Sequence, residues 1–313
     1  MFDMTETQHK PVLMEEAIEL LELKEGMVVF DATLGGGGYA REIYKKIMPG
    51  GTLIVCDQDM QAIERFKNSF PDIAEEIKIV HSNYSNIRKI LKDFDIDYVD
   101  AIVADLGLSS DQMNETDRGF SFMGESKLDM RMDQSLELTA HYVVNEYSKN
   151  ELSQIIRNYG DEKFANLIAK NICNQRPIVT SGELADIIIN SIPNSVKRKQ
   201  KIHPATKTFQ AIRIEVNNEF ENLKIFLTDG ISVLQKSGYF SVVSFHSGED
   251  KMVKNIFRSN ARGCICDPEM PVCRCEHEPS VRVITRKPIK PSEKEISDNP
   301  RSRSARLRSV EKI

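Results

Sequence analysis

Tryptophan is absent from this chain, an absence that by itself excludes nothing. Other absences say more. No apolar run approaches the roughly 20 residues that a membrane-spanning helix needs. The first ten residues are polar and carry no signal-peptide core, so export is not expected. There is no surplus of positive charge either: 42 Lys and Arg stand against 47 Asp and Glu, a net charge of -5. That excludes a protein that holds nucleic acid by a global positive field, and leaves local basic patches open. A cytoplasmic protein is the expectation, with its six cysteines reduced and no disulfides. What is present is ordinary for a folded, non-membrane protein: 40% hydrophobic and 28% charged residues over 313 positions. A sizeable core and about two domains fit that length.

The first third alternates strand and helix. Apolar residues at helical spacing occupy 11–23, and strand patterns fall at 27–30, 52–56, 77–80 and 98–104. Helical patterns fall at 39–47, 61–69 and 86–94 between them. This alternation predicts parallel βαβ units in an open, doubly wound sheet. From 137 to 192 the periodicity is helical throughout, which reads as an inserted helical domain. Helix resumes over 206–234, a turn at Ser237-Gly238 precedes a fifth strand at 239–245, and 249–259 is helical. Two strand-like pieces, 281–285 and 305–310, flank a Pro-rich charged loop and are placed to pair antiparallel at the sheet edge. The expected fold class is therefore α/β. The expected divisions are 1–136 for the first part of the sheet domain, 137–205 for the helical insertion, and 206–313 for the second part with a basic tail.

The sharpest local signal is Asp31-Ala32-Thr33-Leu34 running into Gly35, Gly36, Gly37 and Gly38, then Tyr39. A strand, a glycine turn and a helix start bring backbone close to a ligand, in the crevice where open α/β sheets bind them. The spacing Gly35-x-Gly37-x-x-Ala40, with Asp57 further on, also fits a dinucleotide fingerprint. Asp31 weighs against it, because a carboxylate there repels a pyrophosphate and favours the sulfonium and ammonium of S-adenosylmethionine. Asp57, closing the second strand, is placed to accept two ribose hydroxyls. Asp105 closes the fourth strand and leads into Leu106-Gly107-Leu108-Ser109-Ser110-Asp111-Gln112. A carboxylate there can accept a hydrogen bond from a conjugated exocyclic amine and take its proton; the plainer alternative is a helix cap.

At this point the motifs resemble one family. They are His9-Lys10-Pro11-Val12-Leu13, the glycine loop, Cys56-Asp57-Gln58-Asp59, the Asp105–Gln112 stretch, Arg118-Gly119-Phe120-Ser121-Phe122 and Leu128-Asp129-Met130-Arg131-Met132-Asp133. Further along come His203-Pro204-Ala205-Thr206-Lys207-Thr208-Phe209-Gln210-Ala211-Ile212-Arg213, Ser244-Phe245-His246-Ser247 with Glu249-Asp250, and Asn299-Pro300-Arg301-Ser302-Arg303-Ser304. The chain resembles the ribosomal RNA small subunit methyltransferase H family over nearly its whole length, in order. The resemblance implies a Rossmann-like S-adenosylmethionine methyltransferase sheet with an inserted all-helical domain. It implies methylation of N4 of a decoding-centre cytosine, conventional position 1402, in 16S rRNA within the small ribosomal subunit. Cofactor contacts carry over to Gly37, Gly38, Tyr39, Asp57, Tyr84, Asp105 and Gln112, with Asp105 as the catalytic residue. Tyr39 stands where many members have His, Tyr84 where many have Phe, and Gly248 where Leu is usual. Tyr84 keeps an aromatic face for adenine, whereas Tyr39 keeps only its backbone N–H for the cofactor. The expected reaction is direct transfer with no covalent enzyme intermediate.

Other constellations admit two readings each. Arg118, Phe120 and Phe122, with Arg131 nearby, form either a clamp on an unstacked base or a loop packed on the core. Lys207 and Arg213 are further candidates for RNA contact. His246 is either a nucleotide contact or a hydrogen-bonded structural histidine. Lys197, Arg198, Lys199 and Lys201, and ten basic residues against four acids from 282 onward, make local positive surface or a solvated tail. Cys264, Cys266, Cys273 and Cys275 could hold zinc, but Cys-x-Cys is not the usual spacing, so they are read as free thiols and no metal residue is assigned. The rival functions are an amino-methyltransferase for another nucleic acid, a nicotinamide dehydrogenase and a non-enzymatic ribosome-assembly factor. Whether the chain is a monomer or a homodimer is not set by the sequence.

Overall fold

The computed structural model describes residues 11–313 apart from 110, 111, 114, 123, 199–201, 265, 267–269, 271, 273, 276 and 277. His9, Lys10, Ser110, Asp111, Lys199, Lys201 and Cys273 therefore lie outside the described residues. The fold is α/β, built on an open, doubly wound Rossmann-like sheet. The chain forms two compact units, residues 1–107 with 221–313, and residues 108–220.

Among the described residues the first unit holds seven strands: β1 (Val28–Asp31), β2 (Thr52–Asp57), β3 (Lys78–His81), β4 (Val99–Asp105), β5 (Leu234–Ser244), β6 (Val281–Val283) and β7 (Arg306–Lys312). Their order is β3-β2-β1-β4-β5-β7-β6. The first five are parallel, and β7 runs antiparallel between β5 and β6. The central strands are near-continuous apolar runs because both faces of a parallel sheet are covered. Val29, Leu53, Val55, Ala101 and Val103 share a core with α1 (Met14–Leu20), α2 (Gly38–Ile47) and α3 (Met60–Ser69). The alternate residues Phe30, Ile54, Cys56, Ile102 and Ala104 share another with α5 (Ile87–Asp93), α12 (Glu219–Val233) and α13 (Ser247–Asn260). Phe240 anchors that second core, its ring 5.2 Å from Phe226 and 5.5 Å from Phe257. A short helix, α4 (Pro71–Glu76), follows α3, and α14 (Glu293–Asp298) lies in the stretch read as an irregular Pro-rich loop.

Two local readings change. The turn expected at Ser237-Gly238 is a bulge inside β5: pairing jumps from Val99↔Leu234 to Ala101↔Tyr239, and Ser237 has φ 63. The single helix expected over 206–234 is two, α11 (Thr206–Val216) and α12, broken where Asn218 turns left-handed at φ 48.

The second unit is helical, with α6 (Ala140–Glu146), α7 (Lys149–Gly160), α8 (Ala165–Asn174), α9 (Ser181–Ser191), the four-residue α10 (Asn194–Lys197) and α11. Ser148–Glu151 and Thr180–Glu183 form reciprocal capping boxes that set where α7 and α9 begin. The expected limits of 137 and 205 are too narrow. Phe120, Leu128, Met130 and Met132 before them, and Phe209, Ile212 and Val216 after them, belong to the same core as the helices. Those residues lack the helical periodicity that marked the insertion, or continue it past the basic run, so pattern alone misplaced both edges. Among the described residues, no helix is long and apolar enough to cross a membrane.

Candidate functional site

Parallel register brings three carboxylates to the same ends of neighbouring strands. Asp31 pairs with Val55 on one side and Val103 on the other, so Asp57 and Asp105 each lie two residues beyond it. All three share the pleat parity of Val29, Val55 and Val103. Chain order reverses between β1 and β4, the switch point where open α/β sheets place ligands. Asp57 accepts from the Gly35 N–H (2.9 Å) and the Asp59 N–H (2.9 Å). Asp31 accepts from the Thr33 N–H (3.1 Å) through Oδ1, while its Oδ2 is buried with no hydrogen-bond partner among the described residues. Asp105 Oδ1 is likewise buried without one. Burial is the main reason the Asp31 carboxyl is pushed up to about 8, with the Asp57 charge adding to it. Burial also raises Asp105 well above the carboxylate range, helped by Asp31, Glu249 and Glu295, and it raises Asp57.

The glycine loop is sewn to the strand ends: Ala32 N–H donates to Val103 C=O (2.9 Å), Leu34 N–H to Cys56 C=O (3.1 Å) and Gly37 N–H to Leu34 C=O (2.7 Å). The four glycines divide into pairs. A Cβ on Gly37 would sit 2.2 Å from the Phe66 ring, and one on Gly38 2.2 Å from Pro11, so packing demands these two. Gly35 and Gly36 face open space, where a Cβ would meet nothing within 4 Å. Gly37, at φ 77, caps α2, whose first-turn amides are the donors the loop presents. Tyr39 is buried, and its hydroxyl donates to Val12 C=O (2.9 Å). Tyr84 follows β3 and packs its ring on Phe226 at 5.0 Å.

Three contributors were not singled out from the sequence. Thr33 Oγ1 accepts from the Asp105 N–H (2.7 Å), locking the end of β4 to the glycine loop. Glu249 is buried and accepts from the N–H groups of Phe245 (2.8 Å) and His246 (3.2 Å). Glu295, on α14, accepts from the Leu13 N–H (2.8 Å) and lends negative charge to Asp105. Glu249 stood within a quoted motif; Glu295 gave no signal, because its segment read as loop.

The remaining candidates are held by their own units. His246 is the N-cap of α13, with Nδ1 taking the Glu249 N–H (3.4 Å) and Nε2 facing the Glu249 carboxylate (3.1 Å). In the helical unit Gln112 and Ser109 bond reciprocally, backbone to side chain, at 3.0 and 3.1 Å. Arg118 is buried and donates to the carbonyls of Arg131 (2.8 Å) and Met132 (2.7 Å), with the Phe120 ring at 5.4 Å. Phe120 is buried, while Phe122 stacks on His203 at 4.2 Å. Arg131 forks onto Asp129 (2.8 and 2.7 Å) and Arg213 onto Glu219 (2.7 and 2.8 Å). Lys207 donates to Asp161 C=O (2.7 Å).

A model of the MraW methylase family matches residues 6–313 of this sequence. The chain belongs to that family. It is similar over its length to the protein named ribosomal RNA small subunit methyltransferase H in Finegoldia magna, with 47% identity over 311 residues, 98% of this chain and 99% of that one. The protein of the same name in Clostridioides difficile is 46% identical over 314 residues, 98% of this chain and 100% of that one. A solved methyltransferase homolog from Pyrococcus horikoshii superposes with a TM-score of 0.45 at 12% identity, over 100% of this chain and 72% of that one.

As a MraW methylase the chain is an S-adenosylmethionine-dependent methyltransferase, and the nicotinamide reading of the Gly35–Ala40 spacing is set aside. The site fits the donor. Two buried carboxylate oxygens without partners suit a cation and would repel a pyrophosphate. Asp57 keeps a second lone pair on each oxygen after its two backbone bonds, enough for a pair of hydroxyls.

Proposed function

We propose that this methylase methylates N4 of a decoding-centre cytosine, conventional position 1402, in 16S rRNA of the small ribosomal subunit, and that it works in the cytoplasm. The observation that carries this reading is the pair Asp31 and Asp105, buried carboxylates at adjacent strand ends that each keep an unpartnered oxygen. The names of the Finegoldia and Clostridioides relatives support small-subunit rRNA as the substrate.

S-adenosylmethionine supplies an electrophilic methyl group on a sulfonium. Asp57 would hold the donor's ribose, Tyr84 would flank its adenine, and the backbone of Gly37, Gly38 and Tyr39 would line its path; Gln112 is a further candidate for the donor. The donor's cationic end would draw the proton off Asp31, whose carboxylate then faces that charge. Asp105 accepts a hydrogen bond from the cytosine amine, orients it, and takes the proton released as the new N–C bond forms. Its raised affinity for a proton suits that last task. Positioning supplies much of the acceleration. Arg118, Phe120, Arg213 and His246 serve as scaffolding, since their partners lie within the fold. Phe122, Arg131 and Lys207 retain surface for RNA, and the exposed Arg286, Lys287, Lys290, Lys294, Arg301 and Arg303 supply phosphate contacts.

Mass spectrometry of nucleosides and fragments from 16S rRNA tests the assignment. Cells without the protein should lack one methyl group on the fragment carrying that cytosine; the wild-type gene should restore it and Asp105→Ala should not. An unchanged fragment in the deletion strain would overturn the substrate assignment.

A further inference from the structure

Residues 261–280 link α13 to β6 and lie outside the donor site. The ends of this segment are clamped: Ser280 N–H donates to Asn260 C=O (2.8 Å), and their side chains bond at 3.2 Å. The segment exceeds the ~12–15 residues beyond which loops without secondary structure become uncommon. Its described apolar side chains do not form a core, with Met270 44% and Val272 66% exposed. Among the described residues past Ala261, hydrophobic burial therefore does not hold it. Three thiols do come together. The sulfurs of Cys264, Cys266 and Cys275 all lie within 4.8 Å of one another, and those of Cys264 and Cys275 are 3.8 Å apart.

We propose that Cys264, Cys266 and Cys275 bind a structural zinc ion that organises the 261–280 loop. A tetrahedral site with Zn–S bonds of about 2.3 Å has S···S edges of about 3.8 Å, the Cys264–Cys275 separation. A disulfide would need about 2.05 Å. The Arg274 N–H donates to the Cys266 sulfur (3.4 Å), a bond that steadies a metal-bound thiolate. The sequence carries a fourth thiol, Cys273, two positions before Cys275, and two arginines, Arg262 and Arg274, in the same segment. Cys264 and Cys266, two positions apart, bring two sulfurs together, and the chain returns at Cys275 to supply a third. The unusual spacing therefore reflects a loop closing on itself and not an interrupted zinc finger.

The test is metal analysis of the full-length protein purified under reducing conditions without added zinc. About one zinc per chain is expected, falling to background in Cys264→Ser and in Cys275→Ser and unchanged in Cys173→Ala. Circular dichroism should show all three variants folded. Cobalt exchanged into the site should give thiolate-to-metal charge-transfer absorption and tetrahedral d–d bands. Chelation should speed amide exchange in 261–280 while leaving β1 and β4 protected. Metal-free wild type, an intact mass two hydrogens lighter from a Cys264–Cys275 disulfide, or zinc retained in both serine variants would each overturn the proposal.

Discussion

Asp31 is the residue where stability and binding conflict most directly. Its folded carboxyl titrates near 8 against an ordinary value near 4, so between those pH values the folded chain holds a proton that the unfolded chain releases. Stability contributed through this group is therefore lost as pH rises through that window. Asp31→Asn should raise the melting temperature of the ligand-free protein at pH 8, by up to about 5 kcal/mol in stability as an upper bound, with the gain vanishing near pH 4. Calorimetric titration should find donor binding lost in the same variant. A variant no more stable than its parent at pH 8 would show that the carboxylate is not held at a cost. Asp105 makes a different prediction. Asp105→Asn keeps the shape and the backbone bond to Thr33 but cannot take a proton. Single-turnover methylation should slow by about 10²–10⁴-fold while the donor still binds; comparable rates would remove Asp105 from the chemistry.

Among the elements, helix ends account for much of what the site is made from. The amides of α2 and the Asp59 cap of α3 follow directly from sequence patterns of glycine and aspartate. His246 illustrates the opposite case. Its place in a conspicuous motif invites a nucleotide contact, yet the side chain starts α13 and pairs with Glu249 three residues on. Capping by histidine is uncommon enough that no sequence rule would select it. The break between α11 and α12 is similar. Asn217 is buried, accepts from the Met132 N–H (2.7 Å) and donates to the Met130 C=O (2.8 Å), tying a non-helical strap to the helix end. Asn217→Ala strands both backbone groups and should destabilise the protein by about 2–3 kcal/mol in urea unfolding. Asn217→Ala melting with the wild type would show that the strap finds other partners.

At the scale of the molecule, the basic tail is not a solvated extension. Residues Arg306–Lys312 form β7, and its pairing covers the edge of β5 from Tyr239 to Ser244. Arg308, counted among the tail's free cations on sequence grounds, is buried against Asp250 at 2.6 Å. Deleting 300–313 should expose β5 as an open apolar edge and produce soluble aggregates on size-exclusion chromatography. A monodisperse truncated protein would contradict that role. The contiguous helical unit was legible as an insertion because helical periodicity replaced strand–helix alternation. The wider limits of the compact unit, 108 and 220, were not, because Phe120, Met130 and Met132 join its core from irregular backbone, where no period exists to read, and α11 carries it past the basic run.

The sequence by itself determined the α/β class, the strand-terminal aspartates and the glycine turn. Alternation, strand ends and positive φ are local properties, set by residues within a turn or two of each other. Only the tertiary structure decided which charges are in use. Arg118 meets the carbonyls of Arg131 and Met132, Glu295 reaches Leu13 from 282 positions away, and Asp31 and Asp105 lose their water to a core neither builds alone. Burial and pairing depend on the whole surrounding shell of the fold, and no stretch of sequence carries that shell with it.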